Sequence, residues 1–304
     1  MLGQDPAYVA SNEISQASVM MKNRVEGRLG LVSNCWKVQL DGGASLRELV
    51  AQAANEGFRF VELRQGCLGE CEDSKSRLPL ADRLNSLAEH FPEITFDLAV
   101  ELPVFSESID VSSATVNGML QSVKALSAHG HPAHLRIVDP FSKMVPIRQT
   151  ADDEAESCFC LQDVVDSLSN LRTELPTGIV SVEHSFQPWA GFRTLFDVAN
   201  SSECNVRVCY DPCNLWLAGD GEAADEITAS LPVDWLSMVH LKQRVDSSVS
   251  TRLEPGDVDW SRQLNLLNDA RYAGPFLFET TPSEDAWECL RDSRDYFVSI
   301  VRKL

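Results

Sequence analysis

Short runs rich in Val, Ile, Leu and Phe recur along this chain, and helical hydrophobic spacing follows most of them. That alternation leaves few folds open. RLGLVSN (28–34), FRFVELR (58–64), ITFDLAVEL (94–102), HLRIVD (134–139), GIVSVEH (178–184), NVRVCYD (205–211), LSMVHLK (236–242) and PFLFET (275–280) read as eight strands. Helical patterns occupy 45–57, 78–91, a stretch within 112–129, 160–175, 191–201, 259–272 and 284–304. Strands separated by helices pair in parallel through right-handed crossovers, and eight such units in about 280 residues suit a closed barrel. An open doubly wound sheet would place a Gly-rich phosphate turn after an early strand, whereas SNCWKVQLDGG follows the first one here. The expected fold is α/β, a single-domain (β/α)8 TIM barrel over 27–304. The polar stretch 1–26 is expected to be a disordered tail.

Composition narrows the partners. The chain of 304 residues carries 45 acidic and 26 basic side chains, a formal charge of −19. Nucleic-acid backbones and anionic membrane surfaces are recognised by clustered Lys and Arg, so neither is an expected partner. No apolar run reaches the roughly 18 residues of a transmembrane helix, and the N-terminus has no secretory pattern. Nine cysteines without a secretion signal point to reduced thiols and a cytoplasmic protein. Cys67/Cys71 and Cys158/Cys160 could form half of a zinc site each, but neither has a second pair with CxxC spacing. They are expected to be ordinary core or loop residues.

In barrels of this kind, catalytic groups sit where strands end and βα loops begin. The strand ends here deliver Asn34, Glu62 with Arg64, Glu101, Arg136 with Asp139, Glu183 with His184, Asp211, His240 with Lys242, and Glu279. Glu183, Asp211, His240 and Glu279 come from strands five to eight, which are neighbours around the wall. Buried carboxylates are costly unless a cation compensates them. Three carboxylates and an imidazole suit one divalent ion, Mn²⁺, Mg²⁺, Co²⁺ or Zn²⁺.

The segments GIVSVEH, VCYDPCNLW, VHLK and EPGDVDWSRQLNLLNDARYAGPFLFE resemble, in order and spacing, the xylose-isomerase-like barrel superfamily of sugar isomerases and epimerases, dehydratases and endonuclease IV-type enzymes. The resemblance runs over about residues 27–303 and is strongest after 178. It implies that Glu183, Asp211, His240 and Glu279 bind the metal. It also implies that Glu183 and Glu279 flank the substrate as base and acid, in either order, for proton transfer through an enediolate. The implied activity is isomerisation or epimerisation of a sugar or related polyhydroxylated carbonyl compound. Dehydration of the inosose or 3-dehydroshikimate type would start from the same enolate. A barrel that binds sugars without turnover is the alternative from another class.

Three positions depart from the epimerase pattern: Asn214 stands where those enzymes have a histidine, Asp246 where they have an arginine (with Arg244 close by), and His184 directly follows Glu183. Endonuclease IV chemistry needs further histidine ligands, and no histidine follows His240. Glu62, Arg136, His184, Asn214, Lys242 and Arg244 are the expected substrate-side residues. For Lys242, polarising a substrate oxygen and pairing with a ligand carboxylate are equal readings; for Arg136, an ion pair with Glu62 or Glu101 is favoured over holding a substrate hydroxyl or phosphate. His129, His131 and His134 are expected in a solvated loop on the opposite rim. Trp36, Phe105 and Trp216 are expected either as apolar walls beside a sugar or as core. The loops 65–77 and 140–157 read either as lids or as surface excursions. A homo-oligomer stays open.

Overall fold

The computed structural model describes residues 25–127, 130–139, 147–148, 159–202 and 204–304. Most of the expected tail, His129 and nearly all of the 140–157 loop lie outside them. Eight parallel strands close into one barrel: β1 (Leu29–Val32), β2 (Phe60–Arg64), β3 (Thr95–Glu101), β4 (His134–Val138), β5 (Ile179–Glu183), β6 (Arg207–Tyr210), β7 (Leu236–Leu241) and β8 (Phe276–Phe278). They follow one another in chain order around the wall, and β8 pairs back onto β1. This is the (β/α)8 TIM barrel that the alternation predicts. Because every strand runs the same way, all eight C-terminal ends share one rim.

The strands are near-continuous apolar runs because both their faces are covered. Outward residues such as Leu31, Val61, Leu63, Val180 and Val208 belong to the main core beneath the helices. Helices Leu46–Asn55, Ala81–His90, Ala114–Leu126, Leu161–Glu174, Trp189–Ser201, Trp260–Asp269 and Ala286–Val301 each lay an apolar stripe on that core. At Gly30 the barrel wall leaves no room for a side chain. A Cβ there would come within 2.5 Å of both the Cβ and the carbonyl oxygen of Phe60 on β2.

Inside the barrel, Val32, Cys209, Met238 and Leu277, with Phe60 packed on them, form an apolar floor. Beside it lies a polar group that satisfies itself: His134 Nδ1 is 2.8 Å from Asp97 Oδ1, and His134 Nε2 is 2.8 Å from Ser181 Oγ. His134 is therefore not part of a solvated loop. It opens β4 with its side chain inward and buried, because β4 begins directly after Ala133. His131 does stay at the edge, hydrogen-bonded to Thr95 Oγ1 and the Pro92 carbonyl.

Two short helices, Pro212–Ala218 and Ala224–Ser230, lie between β6 and β7 where no helix is predicted. The first has a local signal in the sequence. Asp211 is its N-cap, Pro212 its first residue, and Gly219 closes it at φ 95°.

Candidate metal centre

Alternation along each strand places one residue in two on the inner face. Two residues above the floor, the strands therefore present Glu62, Arg136, Glu183, Asp211, His240 and Glu279 to a common point. All six are buried. One ligand atom each from Glu183, Asp211, His240 and Glu279 can be chosen so that all four lie within 4.8 Å of one another. Ligands on opposite sides of a cation with bonds of about 2.1 Å sit roughly 4.2 Å apart, so a small inward movement would complete coordination.

Asp211 shows how the local fold prepares such a site. As N-cap, its Oδ1 accepts from the backbone N–H of Cys213 at 2.8 Å and of Asn214 at 3.3 Å. This fixes the carboxylate and leaves Oδ2 buried without a hydrogen bond. Lys242 Nζ lies 2.7 Å from that oxygen, in ion-pair contact but outside hydrogen-bond geometry. A buried carboxylate oxygen fixed by the backbone and facing only a cation is what a metal ligand offers, so the donor set fits a hard divalent ion.

Cations surround the carboxylates. The guanidinium of Arg136 is fully buried and bonds Glu62 through Nε at 3.0 Å and through Nη2, while its Nη1 bonds Glu183. Arg64 Nη1 lies 2.8 Å from Glu279 Oε1. Lys242 Nζ is also 2.6 Å from Glu279 Oε2 and 3.3 Å from Asn214 Oδ1. Burial alone would raise the carboxyl pKa of Glu183, but the Arg136 guanidinium prevails and holds it down at about 2. Glu62 is lowered against burial by the same guanidinium and by His240. Glu279 is lowered well below its usual range by Lys242 and His240, again against burial. At Asp211 burial prevails over Lys242, and the pKa rises.

His240 joins the two halves of the centre. Its Nδ1 is 3.1 Å from Glu279 Oε2 and 3.8 Å from Glu183 Oε1, and its Nε2 is 3.3 Å from Cys209 Sγ and 3.5 Å from Glu62 Oε2. Burial disfavours an imidazolium here, yet its pKa stands well above the usual histidine range. Cys209 would add a negative charge beside Nε2 only if it ionised, and burial pushes its thiol up to about 12. Glu62 and Glu279 therefore supply the compensating charge.

Asn214 Nδ2 donates to Glu183 Oε1 at 3.0 Å and to the His184 carbonyl at 2.8 Å, bracing β5 against the helix after β6. His184 is not beside these groups. It is packed edge-on against Trp189 and Phe192, its Nε2 is 2.7 Å from the Gln187 carbonyl, and burial lowers its pKa to about 4. Alternation accounts for this, since the residue after an inward Glu183 points outward. Arg244 pairs with Asp257 at 3.2 Å, on the loop after β7. Trp36 and Phe105 are buried in the core, and Trp36 packs on Trp287 at 5.5 Å. Trp216 is half-buried against Gly221.

The 65–77 loop is folded on itself. Gly66 N–H donates to Glu72, Arg77 Nη2 donates to the Gly66 carbonyl, and Asp73 N–H donates to the Leu78 carbonyl. Cys67 and Cys71 are buried free thiols, whereas Cys158 and the Cys160 side chain lie outside the described residues. Cys209 lies close to the centre, and the strand-end reading missed it. Its signal was present, because it lies two residues before Asp211 on the same inward face. Also missed was the link from Arg136 to Glu183.

Residues 176–296 match the family model described as a xylose isomerase-like TIM barrel. The matched stretch holds Glu183, Asp211, His240 and Glu279, and the closed barrel agrees with the fold that the family model describes. Among solved structures, it is similar to an IolI protein with a bound zinc atom: 16% identity, 91% of this chain and 98% of that one, TM-score 0.61. A 3-keto-D-glucoside 4-epimerase from E. coli shares 14% identity over 90% of this chain and 99% of that one, with TM-score 0.57. A xylose isomerase-like TIM barrel protein from Mycobacterium smegmatis, in complex with magnesium, shares 15% identity over 84% and 88%, with TM-score 0.56. At these identities the likeness is one of fold. No curated protein sequence matches the chain. Among the described residues, no helix is long and apolar enough to cross a membrane.

Proposed function

We propose that this barrel is a metal-dependent isomerase or epimerase of a sugar or related polyhydroxylated carbonyl compound, with Glu183, Asp211, His240 and Glu279 as ligands of one divalent ion. The observation that carries the reading is the meeting of those four side chains at the C-terminal rim, with Asp211 Oδ2 buried and met only by the Lys242 ammonium. The zinc and magnesium named for two of the similar structures, and the epimerase activity named for another, support it. When bound, the ion would supply Lewis acidity toward a carbonyl and its neighbouring hydroxyl, which acidifies the C–H between them.

The remaining chemistry belongs to the chain. Glu183 and Glu279 enter from β5 and from the end of β8 and give the site two carboxylates for moving a proton off one face of a carbon and onto the other. Arg136 and Asn214 hold Glu183 from both oxygens, so its orientation is set before substrate arrives. Arg64 holds one oxygen of Glu279, Oε1. The apolar floor excludes water from beneath the reacting atoms.

The test is a panel of ketoses incubated in D₂O with Mn²⁺ and followed by NMR. Deuterium should enter at the carbon beside the carbonyl, and Glu279→Gln should abolish its entry. Absence of exchange from the whole panel by a protein that binds Mn²⁺ would count against the reading. A product formed by loss of water would move the assignment to a dehydratase.

A further inference from the structure

Lys242 is placed where a bound cation belongs. Its Nζ touches two of the four ligand carboxylates, Asp211 Oδ2 at 2.7 Å and Glu279 Oε2 at 2.6 Å, and lies 3.3 Å from Asn214 Oδ1. A divalent ion held by those carboxylates would sit against an ammonium group with nothing between them, and like charges at that range repel strongly in a buried site. Charge balance points the same way. Glu62, Glu183, Asp211 and Glu279 are four carboxylates, and Arg64 and Arg136 are two guanidiniums tied to them. One divalent ion therefore neutralises the cluster only if the Lys242 ammonium has left it.

The local structure allows that departure. The Lys242 backbone is anchored, because its carbonyl accepts from Trp260 Nε1 at 3.2 Å. Its side chain is 11% exposed, unlike the fully buried Arg136, so the flexible four-carbon stem reaches the rim.

Resting on the proposed metal site, we infer that Lys242 is a built-in counter-cation: it occupies the cation position of the metal-free centre and is expelled toward the substrate side when metal binds. Before loading, Lys242 thus gives Asp211 and Glu279 a positive partner, at the expense of metal affinity. Apparent affinity falls by the fraction of molecules in which the position is open. The expelled ammonium then stands beside the metal's open face, where it can donate to a substrate oxygen.

Two measurements on the full-length protein test this. Mn²⁺ titrations by calorimetry compare the wild type with Lys242→Gln, which removes the competing charge. Binding should tighten by about tenfold or more if the position is closed at least nine-tenths of the time. On the wild type alone, acetic anhydride labelling with peptide mass spectrometry should show Lys242 becoming more reactive when Mn²⁺ is added. That second readout stands even if Lys242→Gln fails to fold. Equal or weaker Mn²⁺ binding by Lys242→Gln, or unchanged labelling in a wild type that binds Mn²⁺, overturns the inference and leaves the metal site standing. Failure of both proteins to bind Mn²⁺ overturns the metal site itself.

Discussion

Replacing Arg136 with Met removes a buried cation of nearly the same length from between two carboxylates. In the wild type its guanidinium makes a two-point contact with Glu62 and a third bond to Glu183, and Arg136 and Glu62 are both fully buried. Removing one partner of a buried ion pair typically costs about 3–5 kcal/mol, because the orphaned charge stays out of water. Here two carboxylates lose their partner, so a loss of about 4 kcal/mol is expected at pH 7. At about 3 °C per kcal/mol for a chain of this size, the melting temperature should fall by roughly 12 °C.

The pH dependence gives the sharper signature. In the wild type, Arg136 keeps Glu62 and Glu183 below their unfolded values, so their contribution is present at neutral pH and is lost as the solution is acidified. In Arg136→Met, burial is opposed only by His240 and, at Glu183, by the Asn214 hydrogen bond, so both pKa values should rise above those of the unfolded chain. The folded state then binds more protons than the unfolded one, and lowering the pH from 7 to 5 should recover stability. Urea denaturation at the two pH values reads both effects. Glu62→Gln placed on Arg136→Met should restore part of the loss. A loss under about 1 kcal/mol, or a variant that weakens further at pH 5, would refute the account of Arg136 as the cation that keeps these carboxylates charged.

Three other outcomes follow from the geometry. His240 must be neutral to offer Nδ1 to a metal, and its pKa in the metal-free centre is raised well above the usual range. Mn²⁺ binding should therefore release about one proton and tighten by up to about tenfold per pH unit below that pKa, measured by calorimetry in buffers of different ionisation heat. His184 is held at about 4 by burial, against 6.5 unperturbed. Between those values the unfolded chain takes up a proton that the folded one refuses. The contribution of His184 should therefore cost the wild type about 2 kcal/mol more than His184→Asn between pH 7 and 5, read as the difference between the two proteins in urea titrations. Gly30→Ala would push a methyl within 2.5 Å of the β2 backbone, so the two strands must part. Its cost should be about 1–3 kcal/mol by thermal denaturation, whereas a substitution without effect would mean that β1 has slack.

Strand positions were legible because a strand's apolar run is a local property. GIVSVEH and LSMVHLK each lie within a residue or two of the observed β5 and β7. Inward residues near the strand ends were legible for the same reason, since a barrel of parallel strands collects them at one rim. The helix after Asp211 was missed although Asp-Pro and Gly219 announce it, because seven residues make too short a window for helical periodicity to stand out. His134 was misplaced because its neighbours HGHPA look like loop, and only the β3–β4 register turns it inward onto Asp97 and Ser181.

By itself the sequence determined the alternation of strand and helix, hence the barrel, and the kinds of side chain that its rim would carry. Which of those side chains touch was decided only by the tertiary structure. Arg136 bridging Glu62 and Glu183, Cys209 against His240, and Lys242 between Asp211 and Glu279 are pairings across 31 to 74 residues of chain. They depend on strand register and on the competition among nearby charges in a buried space. Neither is a property of any local stretch, and together they set which groups are free to meet a metal or a substrate.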